Sequence, residues 1–298
     1  MTKSTILLVA LTLAVSAVAS SATATPLPGA NLKTYWALDG DGTDSAGGND
    51  LSLYHAEGPE PDQDQAGSPA NASAVFKASL HLGGGGIANL EDGQHYLNAP
   101  PQGAVDLGGG DFTFSLHVNT GTNGKNQDAL VYGTNAAGGG FVGLALRRAP
   151  DGVVAAMVGR DCGWCGAFDT EVGHTGEPRP FDKWIHFALV RDTNDGPNGK
   201  LTLYQDGVAV DSDDRAGVNN SISFGGGFGT YLGTGFGNKT ARQFDGKMND
   251  VSIWDAALSQ SQILYLKDNT ASAGIIPEPS TVLLLGLASL CGLLRRTR

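Results

Sequence analysis

Two clusters in this 298-residue chain carry side chains of a type and spacing that do chemistry. The first is Asp39-Gly40-Asp41-Gly42-Thr43-Asp44, three carboxylates in a glycine-rich turn. Closely spaced hard oxygens suit Ca²⁺. An EF-hand loop requires glycine at its sixth position and glutamate at its twelfth; those positions hold Asp44 and Asp50, so that reading fails and the turn is either another kind of calcium loop or a solvated acidic turn. The second is Cys162-Gly163-Trp164-Cys165. A structural zinc site needs a second cysteine pair or two well-spaced histidines, and only His174 is near. A redox dithiol needs a βαβ setting, which is missing here. In an exported chain the expected state is a local Cys162–Cys165 disulfide. Trp164 then stands at the tip of the closed loop. Its ring could stack on a sugar face while its N–H bonds a hydroxyl, or it could fold back onto the body.

Glycan hydrolysis makes a different demand. Two carboxylates must lie about 5–5.5 Å apart for retention or about 6.5–9.5 Å apart for inversion. The glutamates are Glu57, Glu60, Glu91, Glu171, Glu177 and Glu278, and no two share a convincing strand at that spacing. Asp111 opens a strand without an acidic partner nearby in sequence. No Gly-x-Ser-x-Gly elbow occurs. His117 and His186 alternate with core-type residues and read as sheet-face histidines. The expectation is therefore a chain that is not an enzyme; the alternative is a glycoside hydrolase whose carboxylate pair is assembled from separate strands.

Charge and composition narrow the partners. Nineteen Lys+Arg stand against 30 Asp+Glu, a net charge of −11. Such a balance repels a phosphate backbone, which excludes nucleic acid as the natural partner. Glycine is abundant at 44 residues but has no G-X-Y period, so the chain is not collagen-like. The 41% hydrophobic content is too high for a disordered chain.

The elements that must position these groups are short strands separated by glycine-rich turns. In 111–118, Phe112, Phe114, Leu116 and Val118 alternate with Thr113, Ser115 and His117, the period-2 pattern of a half-buried strand. Segment 183–190 is apolar on both faces and suits a strand between two layers. Leu201–Gln205 and Val208–Val210 flank Asp206-Gly207, the signature of a type I′ hairpin turn. Further strands are predicted at 33–38, 75–82, 129–133, 141–147, 152–158, 229–234 and 247–254. Ser259-Gln260-Ser261-Gln262 is a capping box, with Leu258 and Ile263 as its hydrophobic staple, and predicts one short C-terminal helix. The fold class predicted is all-β, a two-sheet antiparallel sandwich of the jelly-roll kind.

The two ends read as addresses. Lys3, the apolar run Ile6–Val18 and the Ala22-Thr23-Ala24 end make residues 1–24 a signal peptide, with cleavage after Ala19 as the alternative. Pro277-Glu278-Pro279, an apolar run over 281–294 and the basic tail from Arg295 close the chain. That run is short for a full membrane span, though a basic flank can hold it there transiently. These residues resemble the PEP-CTERM sorting signal of Gram-negative bacteria. The resemblance implies recognition and cleavage by an exosortase-type membrane protease and delivery to the cell surface or extracellular matrix; an uncleaved anchor is the alternative. The chain then divides into 1–24, a single body over 25–270, a short tether over 271–276 and the signal over 277–298.

Five motifs in order resemble laminin G-like domains of the concanavalin A-like lectin/glucanase class. They are Tyr35-Trp36-Ala37-Leu38-Asp39 with Asp44-Ser45-Ala46-Gly47-Gly48, Asp111–Leu116, Trp184–Arg191, Leu203–Gly207 and Phe244–Ser259. The resemblance implies a two-sheet jelly roll with glycan binding, adhesion or glucanase activity among its uses. It also implies one structural Ca²⁺ joining the opening and closing strands, with Asp250 as a side-chain ligand and Asp39 near it. Taken together, the expected protein is exported, surface- or matrix-associated and non-catalytic, with a polysaccharide or matrix protein as its partner.

Overall fold

The computed structural model describes residues 27–55, 76–78, 86–90, 95–99, 107–120, 127–135, 141–146, 154–158, 170–173, 182–214, 222–223, 230–233 and 244–274. The signal peptide, the cysteine loop with Trp164 and the Pro277-Glu278-Pro279 signal lie outside them.

Sixteen strands are described. They are β1 (Leu32–Trp36), β2 (Ser52–His55), β3 (Phe76–Ala78), β4 (Gly86–Asn89), β5 (His95–Ala99), β6 (Phe112–Thr120), β7 (Gln127–Asn135) and β8 (Phe141–Leu146), followed by β9 (Val154–Val158), β10 (Thr170–Gly173), β11 (Trp184–Asp192), β12 (Lys200–Gln205), β13 (Val208–Asp213), β14 (Ile222–Ser223), β15 (Thr230–Leu232) and β16 (Gly246–Trp254). One sheet, A, runs β13-β12-β11-β6-β16-β4-β3, with β1 also on β16; the other, B, runs β10-β9-β8-β7-β15-β5-β2, with β14 on β7. Every pairing described is antiparallel. One α-helix, α1 (Gln260–Asp268), follows β16.

A single apolar cluster joins the two sheets. Phe112, Phe114, Leu116 and Val118 of β6 and Ile185, Phe187 and Leu189 of β11 meet Leu97 and Ala99 of β5 and Leu232 of β15. This is the inward half of the alternation seen in sequence. The other half is also buried: Thr113, Ser115 and His117 are nearly inaccessible. The half-buried strand predicted for 111–118 is thus covered on both faces, because α1 packs on β6, β11 and β13. A second cluster fills that layer, with Tyr35, Ala188, Val190 and Trp254 against Leu258, Ile263, Leu266 and Ala271.

Local chemistry fixes α1 and the hairpin as expected. The Ser259 hydroxyl accepts from the Gln262 amide, and the Gln262 side chain accepts from the Ser259 amide at 2.8 Å. Asp206 (φ 50°) and Gly207 (φ 81°) hold the two positive φ angles of a I′ turn. A side chain at Gly207 would also strike Leu264 of α1, so the turn must remain bare for the helix to dock. Strands β2, β4, β5, β10 and β14 carry no strong periodic signal, and the sequence pattern did not locate them. The packed body extends to Ala271, which is fully buried, so the segment leading to the sorting signal begins docked.

Two substitutions separate core from cap in urea unfolding. Phe114→Ala empties a site facing sheet B and is expected to cost about 3–5 kcal/mol. Ser259→Ala removes only the helix cap and is expected to cost about 1 kcal/mol.

Candidate functional site

The opening loop and the closing strand meet at the end of β1. The loop is organised around Asp44, which is almost completely buried. Its Oδ1 accepts the amides of Tyr35, Ala46 and Gly47 at 2.9, 3.0 and 3.0 Å, and its Oδ2 accepts the Asn49 amide at 2.9 Å. Asp50 accepts the Asp44 amide at 2.8 Å, and Asp41 accepts the Thr43 amide at 2.9 Å. The Trp36 indole donates to the Asn49 carbonyl at 2.9 Å. Two of the three acidic residues that suggested a calcium loop, Asp41 and Asp44, are therefore committed to backbone amides, as is Asp50. A side chain at Gly47 would run into the Lys33 carbonyl, so the loop closes tightly on β1.

Asp39 lies beside Asp250, the residue the sequence motif singled out. Asp250 sits where β16 breaks register between Asn249 and Ser252 against β6, and where the opposite edge of β16 passes from β4 to β1. Its backbone is left-handed (φ 53°), as is that of Leu38 (φ 61°) across the junction. Such angles are costly for non-glycine residues and collect at functional sites. Only 2% of Asp250 is exposed. The Tyr35 hydroxyl donates to its carboxylate and accepts from Ser272, while the Ala271 amide approaches Oδ1 at 3.5 Å. Burial pushes the Asp250 carboxyl up to about 7, Asp39 adding to the shift and the bonds from Tyr35 and Ala271 opposing it. Burial, with the charge of Asp250, raises the Tyr35 phenol above its ordinary range.

The junction brings two carboxylates, Asp250 and Asp39, close to one another. No Lys or Arg among the described residues forms an ion pair with Asp250. No grouping of three or more His, Cys, Asp or Glu side chains surrounds a metal-sized space among the described residues. A calcium ion here would rest on Asp250 and Asp39 and complete its shell with carbonyls and water, which Ca²⁺ accepts readily. Tyr35 and Ser272 were not marked in sequence as site residues. The signal was present, since Tyr35 alternates with Thr34 and Trp36 and so faces away from the main core.

Other sequence candidates have structural partners. Asp111 accepts from the Thr193 amide at 2.8 Å and its hydroxyl at 2.6 Å. Arg191, fully buried, donates to the Gly110 and Gly108 carbonyls at 2.7 and 2.9 Å and lies over the Phe112 ring at 4.6 Å. Burial lowers its guanidinium to about 10. Of the six glutamates, only Glu171 falls among the described residues, on β10.

Residues 91–264, more than half of the chain, match the family model described as the concanavalin A-like lectin/glucanases superfamily. The chain belongs to that superfamily. Residues 276–298 match the PEP-CTERM protein-sorting motif, which directs export to the cell surface. Among solved structures, this superfamily member is similar to domain 4 of AbnA, a GH43 extracellular arabinanase from Geobacillus stearothermophilus, in complex with arabinotriose. Identity is 17%, coverage is 80% of this chain and 98% of that one, and the TM-score is 0.54. The binding domain of botulinum neurotoxin DC, in complex with rat synaptotagmin II, is similar at 8% identity, with coverage of 80% and 52% and a TM-score of 0.51. At these identities the likeness is one of fold. No curated protein matches the chain in sequence.

Two substitutions at the junction are expected to differ in size when unfolding is followed in urea. Tyr35→Phe deletes one donor to a buried carboxylate and should cost about 1–3 kcal/mol. Asp44→Ala strands several buried amides and should cost about 3 kcal/mol or more.

Proposed function

We propose that this protein is an exported, surface-displayed glycan-binding module without hydrolytic activity. The observation that carries this reading is the conjunction of a lectin-type fold with a C-terminal sorting motif. The similar structure is domain 4 of a GH43 extracellular arabinanase, in complex with arabinotriose. The spacing of the glutamates supports binding without cleavage, and the commitment of Asp111 to Thr193 removes one carboxylate from the pool. An exosortase-type protease processes the chain near Pro277-Glu278-Pro279, and the mature body resides at the cell surface or in the extracellular matrix. Trp164, on a loop closed by a Cys162–Cys165 disulfide, provides an aromatic face for a sugar ring.

Incubating the body with a panel of matrix polysaccharides tests this reading. Retention on at least one polysaccharide, weakened by Trp164→Ala and with no oligosaccharide released, is expected. Release that disappears when two acidic residues are replaced would establish the glycoside hydrolase alternative, and no binding across the panel would favour a purely structural or adhesive role.

The Asp250–Asp39 junction holds one structural Ca²⁺ in this reading. The buried carboxylate without a cationic neighbour among the described residues supports it. Added Ca²⁺ is expected to raise the melting temperature of the wild type and not that of Asp250→Ala. An identical melting curve in EDTA and in millimolar Ca²⁺ would refute it.

A further inference from the structure

The outer face of sheet A holds a pair of imidazoles that neither the metal junction nor glycan binding uses. His117 on β6 and His186 on β11 are direct cross-strand partners. Their ring centroids are 4.7 Å apart at a 45° tilt, and both residues are almost inaccessible to solvent. Helix α1 lies over both strands. The His117 Nε2 donates to the Lys267 carbonyl at 3.0 Å, in the last turn of that helix. The His186 Nε2 lies 2.8 Å from the Ser115 hydroxyl, and its Nδ1 has no hydrogen-bond partner among the described residues.

We propose that α1 is a pH-sensitive clasp: protonation in the histidine layer releases the helix, and with it the residues leading to the sorting motif, from the outer face of sheet A.

The charges around His186 set the direction. On β6 it faces His117 and Ser115; on α1 it feels the Lys267 ammonium, itself 3.4 Å from Asp268. At the β12–β13 turn the Asp206 carboxylate accepts the backbone amide of His186 at 3.1 Å, the one acidic group bonded directly to it. The neighbouring positions of β16, Asn249 and Ser252, are uncharged. Burial first, then His117 and Lys267, hold the His186 imidazole well below its ordinary value. With the helix docked, the ring is therefore neutral. With the helix released, it faces water and titrates near 6.5. The released state binds more protons, so docking is fully favoured above about pH 6.5 and weakens progressively below it. One histidine exposed in this way raises the release constant about 30-fold between pH 7.5 and 5.0.

The clasp bears on processing because of where it sits. The sorting motif begins at residue 276, just past the docked Ala271 and the short 3-10 turn Ser272–Gly274. Freeing residues 260–274 would add about 50 Å of extended chain between the sheets and that motif. Acidity would thus set how far the body stands from the membrane protease that reads it.

Hydrogen exchange on the full chain, corrected for intrinsic rates, tests the clasp. Amides of α1 are expected to lose about 30-fold in protection from pH 7.5 to 5.0 while those of β6 and β11 keep theirs. His186→Phe should remove the pH dependence, and His186→Asn, which retains a partner for Ser115, should do the same if the phenylalanine variant misfolds. Protection of α1 that does not change with pH, loss in α1 and β6 together, or an unchanged slope in both variants would overturn the proposal.

Discussion

The last strand of the body has to be inserted into the middle of a sheet. β16 pairs with β6 along one edge and with β4 and then β1 along the other, and all but one of its nine residues are buried. Without it, β6 loses a neighbour and β1 and β4 lose the strand that joins them to sheet A. The layers above and below depend on the same insertion. Met248, Val251 and Ile253 enter the core shared with sheet B, while Trp254 enters the layer beneath α1. Pairings this distant in sequence incur a loop-closure cost before they return any contact energy, which predicts slow, cooperative folding.

That insertion explains why the polar groups lie where they do. β16 changes neighbour partway along one edge and breaks register on the other, and Asp250 occupies the break in a left-handed conformation. A buried carboxylate there is costly unless it is hydrogen-bonded or neutralised. Tyr35 from the first strand and the segment after α1 supply the bonds, so the start and the end of the body converge on one side chain. The histidine layer is a second polar seam between the sheet and the same C-terminal segment. Both seams therefore tie down the residues that precede the sorting motif.

Much of this was legible in the sequence, and the reasons are local. The alternation through Phe112–Val118, the Asp206-Gly207 turn and the Ser259–Gln262 box depend on period and on short-range hydrogen bonds. The five ordered motifs pointed to the superfamily that the family model matches, and Pro277-Glu278-Pro279 to the sorting motif. Strands β2, β4 and β5 were missed because their segments are four or five residues of mixed polarity held by partners far away in the chain. The burial of Thr113, Ser115 and His117 was also missed, because that face is covered by a distant segment, the Ala256–Leu258 turn and the helix after it, which reaches it only in the folded chain. At the junction, Asp250 and Asp39 were named from motif resemblance, whereas Tyr35 and Ser272 join them only through tertiary proximity. The division of labour among Asp41, Asp44 and Asp50 could not be read from spacing, since it depends on which backbone amides the folded turn points inward.

Two truncated chains test most directly whether β16 closes the fold. A chain ending at Ser259 retains β16 and lacks α1; one ending at Asp245 lacks both. Thermal unfolding followed by tryptophan fluorescence should remain cooperative for the first, at a lower midpoint, and vanish for the second. A cooperative transition surviving in the chain that ends at Asp245 would contradict the dependence of the sheets on their last strand.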